Sequence, residues 1–148
     1  MLKGLDPLLT PELLYALAQM GHGDTIAIVD RNFPAHSVHD RVIRLDGTDV
    51  VSTGRAVLGL LPLDTFVPAP VARMGVVGDA DAEPPVQTEF VAAAREAAGR
   101  PVAAEAVERH AFYARARDAF ALVITGEDRP YGCFLLTKGV VPEFSPER

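Results

Sequence analysis

A histidine between two glycines, Gly21-His22-Gly23, and a carboxylate eight residues later, Asp30, are the residues of this chain whose types suit proton transfer. An imidazole titrates near neutrality and a carboxylate accepts protons, so two such groups facing one substrate can serve as general acid and base. The glycines remove side chains from around His22 and permit unusual backbone angles, which presents the ring openly. The same pattern also suits a plain turn histidine. It does not suit a dinucleotide loop, which needs strand, glycines and helix in that order; here a helix precedes and a strand follows. Asp30 ends an apolar run, where open α/β sheets gather ligand-binding groups, although strand-end aspartates also cap loops.

Arg109 and Tyr113 stand four apart and share one face of a predicted helix. They offer a planar cationic fork beside a phenol, which fits a hydroxyl-rich or anionic ligand, or else a solvated face whose arginine stem covers the core. Pro130-Tyr131-Gly132-Cys133 reads as a turn whose glycine lets a ligand approach the backbone. His36-x-x-His39-Asp40, with Asp30 nearby, has the ligand types for a divalent metal and would suit a metal-dependent hydrolase. In a proline-containing loop that spacing fixes no shared direction, so hydrogen-bonding roles fit these residues better. Cys133, the single cysteine, excludes an internal disulfide and a multi-thiolate zinc site and lacks the Cys-His signature of a nucleophile. There is no Gly-x-Ser-x-Gly elbow, Walker-type loop or His-Glu-x-x-His helix.

The elements that must position these groups follow from capping signals and periodicity. Thr10-Pro11-Glu12 starts a helix over about 11–20, with Leu13, Leu14, Leu17 and Met20 on one face and Gly21 as its stop. Thr25–Val29 is a strand buried on both faces, Arg31–Asp40 a loop, and Val42–Leu45 a second strand closed by Asp46-Gly47. A short helix is expected over Thr53–Leu61, weakened by Gly54 and Gly59, then an irregular connection over 62–70. Val71–Val77 reads as a strand with Arg73 facing water or a partner. A helix follows from Pro84-Pro85 to Gly99, then a segment at 102–107 that fits strand or helix, then a helix over Glu108–Phe120. Ala121–Thr125 and Cys133–Thr137 are strand-like, and the turn-rich Gly126–Gly132 between them predicts a hairpin. The fold class is therefore a single three-layer α/β/α domain over residues 1–148, with a mixed sheet ending in an antiparallel hairpin.

Composition narrows the function classes. The 148 residues suit one core, and 49% apolar with 23% charged residues is a globular mix. Fourteen basic against twenty acidic residues give a net charge of −6, which disfavours a nucleic-acid surface. No apolar run is long enough to cross a membrane, and MLKGLDPLLTPELL lacks the pattern of a secretory signal, so a cytoplasmic protein without a membrane role is expected.

Four segments, MLKGLDPLLTPELLYALAQMGHGD, Asp30 followed by NFPAHS, RHAFYARARDAFALVITGE, and RPYG with KGV, resemble in order and spacing the L-fucose mutarotase and D-ribose pyranase family. The likeness is densest over 1–47 and 108–141. It implies a cytoplasmic isomerase that interconverts anomers or ring forms of a monosaccharide, without a cofactor or a metal, in a homo-oligomeric ring, typically a decamer, with sites between subunits. It matches His22 to the proton donor, Asp30 to a sugar-binding carboxylate, Arg109 to a second binding position and Tyr131-Gly132-Cys133 to a ligand-contacting tripeptide. An arginine at 109 leans toward fucose or a related pyranose, ribose-type members carrying histidine there. The tripeptide usually ends in asparagine, so Cys133 is a departure that bears on substrate preference. His36 and Tyr113 are secondary candidates. The chemistry agrees: opening a hemiacetal needs a proton given to the ring oxygen and another taken from the anomeric hydroxyl. His22 suits the first transfer, and Asp30, or a water that it orients, the second. A non-catalytic sugar-binding module on the same fold is the alternative.

Overall fold

The computed structural model describes residues 1–142. Along the chain lie α1 (Pro11–Gln19), β1 (Thr25–Val29), α2 (Ala35–Val38), β2 (Val42–Leu45), α3 (Val50–Leu58), β3 (Val71–Met74), α4 (Pro85–Ala98), β4 (Ala104–Val107), α5 (Arg109–Arg117), β5 (Ala121–Thr125) and β6 (Phe134–Thr137). Local chemistry sets several ends. The Thr10 side chain accepts the Leu13 amide at the start of α1, Asp49 accepts that of Ser52 at the start of α3, and Gly99 closes α4 at φ 64°.

The strands form one sheet in the order β2-β5-β1-β6-β3-β4. Five run parallel and β6 alone opposes them, pairing with β1 and β3. Because side chains alternate, Ile26 and Ile28 of β1 join the core beneath α1, α3 and α4, whereas Ala27 and Val29 join a second core beneath α2 and α5. This is the expected three-layer α/β/α domain with a mixed sheet. Burial on both faces explains the unbroken apolar runs of β1 and β5. Among the described residues no helix is long and apolar enough to cross a membrane.

Several expectations need correction. The last two strands do not form a hairpin: β1 lies between β5 and β6. Residues 126–133 therefore arch over the C-terminal end of β1 instead of making a tight turn. The Arg31 amide donates to the Glu127 carbonyl at 3.1 Å and the Thr125 hydroxyl to the Val29 carbonyl at 2.9 Å, tying the arch to β1. Arg73 is buried instead of facing water, because its side of β3 lies under α4, where polar partners meet it. The loop at 31–40 contains the short helix α2, β3 ends at Met74, and the segment at 102–107 contains the strand β4.

The helix α3 begins three residues earlier than its glycines suggest and runs through Gly54. The reason lies on another element: a Cβ at position 54 would approach the Phe90 ring to 2.6 Å, and Phe90 itself stacks on Phe134 at 3.8 Å. Glycine is required by packing, against its own helix propensity. Gly54→Ala is expected to lower stability by about 1–3 kcal/mol from overpacking, although alanine is the better helix former; urea unfolding of parent and variant measures the difference.

Candidate functional site

The carboxyl ends of the five parallel strands share one edge of the sheet, the edge where open α/β folds hold ligands. A pocket of about 300 Å³ opens there, lined by Asp30 beyond β1, Asn32 and Phe33, Met74 and Val77 at the end of β3, Arg109 and Tyr113 of α5, and Pro130, Tyr131 and Cys133 of the arch. Five residues singled out from sequence, namely Asp30, Arg109, Tyr113, Tyr131 and Cys133, are thus brought together from three separate segments.

Asp30 is buried at the floor of this pocket. Its carboxylate accepts the Asn32 amide at 3.0 Å and the Cys133 thiol at 3.3 Å. Burial pushes its pKa above the ordinary carboxylate value, and the Cys133 thiol and the amides of Asn32, Phe33 and Gly132 only partly counter this. The result is a more basic carboxylate than one in water. Burial, and then the neighbouring Asp30 charge, push the Cys133 thiol well above its usual range, so it stays a protonated donor. Gly132 is not among the residues lining the pocket; its amide faces the Asp30 carboxylate. The Arg109 Nε donates to the Tyr113 hydroxyl at 2.9 Å, and the Tyr131 hydroxyl accepts the Val77 amide at 3.2 Å. The pocket therefore combines a basic carboxylate, two phenols and a guanidinium, a set that matches a polyhydroxylated ligand.

His22 is elsewhere. It precedes β1, whereas Asp30 follows it, so about 16 Å of strand separates them. At this opposite edge the imidazole Nε2 lies 2.9 Å from Oδ1 of Asp64, a carboxylate that is almost wholly buried while the ring is half exposed. Burial alone would raise the Asp64 pKa, but hydrogen bonds from His22 and from the Phe66 and Thr65 amides outweigh it and hold the carboxyl below the ordinary range. An ionised carboxylate only accepts, so Nε2 carries the hydrogen and Nδ1 is the nitrogen left to face outward. Phe66, exposed, tilts against the ring at 5.0 Å. Within one chain, then, the two proton-transfer candidates occupy different edges of the sheet.

Asp64 is the partner that sequence reasoning misses, standing 42 residues from His22 in an aperiodic, proline-rich stretch. Its one signal is an acidic residue isolated among Leu60, Leu61, Leu63, Phe66 and Val67. His36 and His39 join neither edge. His36 is exposed on α2 and meets the Arg44 guanidinium at 3.2 Å. His39 caps the same turn, its Nε2 bonded to the Ala119 carbonyl at 2.6 Å and its Nδ1 accepting the Arg41 amide at 2.8 Å. Both ring nitrogens of His39 are thereby used, and among the described residues no three metal-binding side chains converge.

The profile of the RbsD / FucU transport protein family matches residues 3–141. The L-fucose mutarotase of Actinobacillus pleuropneumoniae serotype 5b is 45% identical over 142 residues, covering 96% of this chain and 99% of that one. Among solved structures, the fucose mutarotase of Streptococcus pneumoniae in complex with L-fucose superposes with a TM-score of 0.88 at 33% identity, covering 95% of this chain and all of that one. FucU from Bifidobacterium longum gives 0.86 at 36% identity, covering 94% of this chain and 99% of that one. A match of that extent, on a chain whose strand-tip carboxylate, helix-borne arginine and arch tyrosine line one pocket, places the protein in the RbsD / FucU transport protein family.

Proposed function

We propose that this protein is a sugar mutarotase that interconverts the α and β anomers of L-fucose or a related pyranose, at a site made when the His22 edge of one copy meets the Asp30 pocket of another. The observation that carries this reading is the division of the machinery. The chain holds an oriented imidazole and a basic carboxylate in a hydroxyl-binding pocket, yet β1 keeps them apart. Its relatives are fucose mutarotases, one of them solved with L-fucose.

The chemistry follows from the groups. Asp30, or a water that it orients, takes the proton of the anomeric hydroxyl, and the freed O–H electron pair forms the second C1–O bond of a carbonyl as the bond from C1 to the ring oxygen breaks. The imidazolium Nδ1–H of His22 protonates the departing ring oxygen, while Asp64 holds Nε2–H and steadies the charged ring. Rotation about C1–C2 in the open aldehyde exposes its other face, and the reverse transfers close the ring as the second anomer. Arg109 and Tyr131 hold the hydroxyls and fix the pose, and Tyr113 keeps the Arg109 fork turned toward them. No group is consumed, so residues of two copies suffice.

Joining one edge of a chain to the opposite edge of the next is a head-to-tail contact, which closes into a ring when the rotation permits. A decamer acting in the cytoplasm is the form we infer. Magnetization-exchange NMR on L-fucose should show faster anomer exchange with the protein, and His22→Ala should lose on the order of 10²–10⁴-fold of it. Binding without faster exchange would instead indicate a sugar-binding module. Mixing His22→Ala with Asp30→Asn subunits, each inactive alone, should restore about a quarter of the parental rate, since random pairing makes that share of sites whole; no recovery after subunit exchange argues against the shared site. The thiol of Cys133 lowers the Asp30 pKa, so Cys133→Ala should raise it further. Because the base works ionised, the acid limb of the rate profile should then move to higher pH, and a shift to lower pH, or none, contradicts the role of Asp30.

A further inference from the structure

Tyr131 is the one residue other than glycine with a positive φ among the described residues, at 63°. A bulky side chain in this left-handed region costs free energy and persists only where surrounding bonds hold it. Those bonds come from the other side of the sheet. Gln87, fully buried on α4, sends its amide to the end of β3 and to the arch, its Nε2 donating to the Met74 carbonyl at 2.7 Å and to the Tyr131 carbonyl at 3.1 Å. Its Oε1 accepts Nη1 of the buried Arg73 at 2.9 Å. A guanidinium can only donate, so Arg73 dictates which end of the amide is oxygen and turns both N–H groups toward the two carbonyls. Arg73 is itself held by the Ala82 carbonyl at 3.0 Å and by Glu83 at 3.4 Å.

We infer that Gln87 is a positioning residue for the reaction, locking Tyr131 in its left-handed conformation through the Tyr131 carbonyl, with Arg73 fixing the orientation of the Gln87 amide. The inference rests on the proposed mutarotase reading, in which Tyr131 sets the pose of the sugar. It goes beyond that reading by assigning a function to a residue that is fully buried outside the pocket lining and lies 44 residues from the tyrosine it serves. Two strands of evidence separate it from a general packing role: every polar atom of the Gln87 side chain is bonded, and two of the three bonds end on segments that line the pocket.

The test uses Gln87→Glu, which keeps an acceptor for Arg73 and nearly the same volume but replaces the pair of N–H donors with oxygen. The three tyrosines are labelled as fluorotyrosine, and the Tyr131 signal is assigned by its loss in Tyr131→Phe. In Gln87→Glu the fluorine signal of Tyr131 should shift or split, and kcat/KM for L-fucose exchange, per folded molecule, should fall roughly tenfold or more, as misplacement of a positioning group does. Should that variant not fold, Gln87→Met carries the same two readouts. An unchanged Tyr131 signal, or kcat/KM within about twofold of the parent alongside a lowered Tm, overturns the inference and leaves Gln87 a packing residue. Absence of exchange catalysis in the parent defeats the mutarotase reading instead, and the fluorine signal alone then decides whether Gln87 holds Tyr131.

Discussion

A β-strand is stiff, and five residues of it fix the distance between His22 and Asp30. Nothing in the loops can shorten that span, because β1 is hydrogen-bonded on both sides, to β5 and to β6. Each edge of the sheet is consequently finished on its own terms. The Asp30 edge is a pocket with a floor, two phenols and a guanidinium. The His22 edge is a projecting ring anchored by a buried carboxylate. Shapes of that kind, one hollow and one protruding, are what a head-to-tail contact between copies requires.

The balance of burial against hydrogen bonding gives the two carboxylates opposite characters. Asp64 gains more from the imidazole and the amides of Thr65 and Phe66 than it loses by desolvation, so it remains charged and orients His22. Asp30 loses more than it gains and becomes the better proton acceptor. Neither environment would work at the other's place. In the proposed reaction a basic Asp64 would compete with the substrate for the proton of His22, and an acidic Asp30 would leave the anomeric proton where it was.

What was legible in the sequence depended on distance along the chain. Asp30 is read from the end of an apolar run, Arg109 with Tyr113 from a four-residue spacing, and the limits of β1 and β2 from local pattern; the strand limits hold, and the three residues line one pocket. Asp64 was not legible because its meaning comes from a residue 42 positions away. The hairpin expectation fails for a related reason. Two strand-like runs joined by a turn-rich segment pair only if no other strand competes, and β1 pairs with both. Arg73 reads as a charge facing water or a partner until α4 is laid over β3 and brings Gln87 and Glu83 to it. Gly54 reads as a weak helix position until the Phe90 ring arrives against it.

The misread hairpin has a chemical consequence. A hairpin over Gly126–Gly132 pairing β5 directly with β6 would have left no arch over the tip of β1, or over Asp30. The arch over 126–133 instead lays the Gly132 amide and the Cys133 thiol on that carboxylate, and the tightness at Gly132, where a Cβ would come within 3.0 Å of Glu127, leaves no slack in it. Where the family resemblance places an asparagine, this chain has a cysteine. A thiol is a weak single donor, so the Asp30 charge receives only weak hydrogen-bond support from position 133. A side chain at the end of the arch thus bears on the basicity of a carboxylate at the end of another strand.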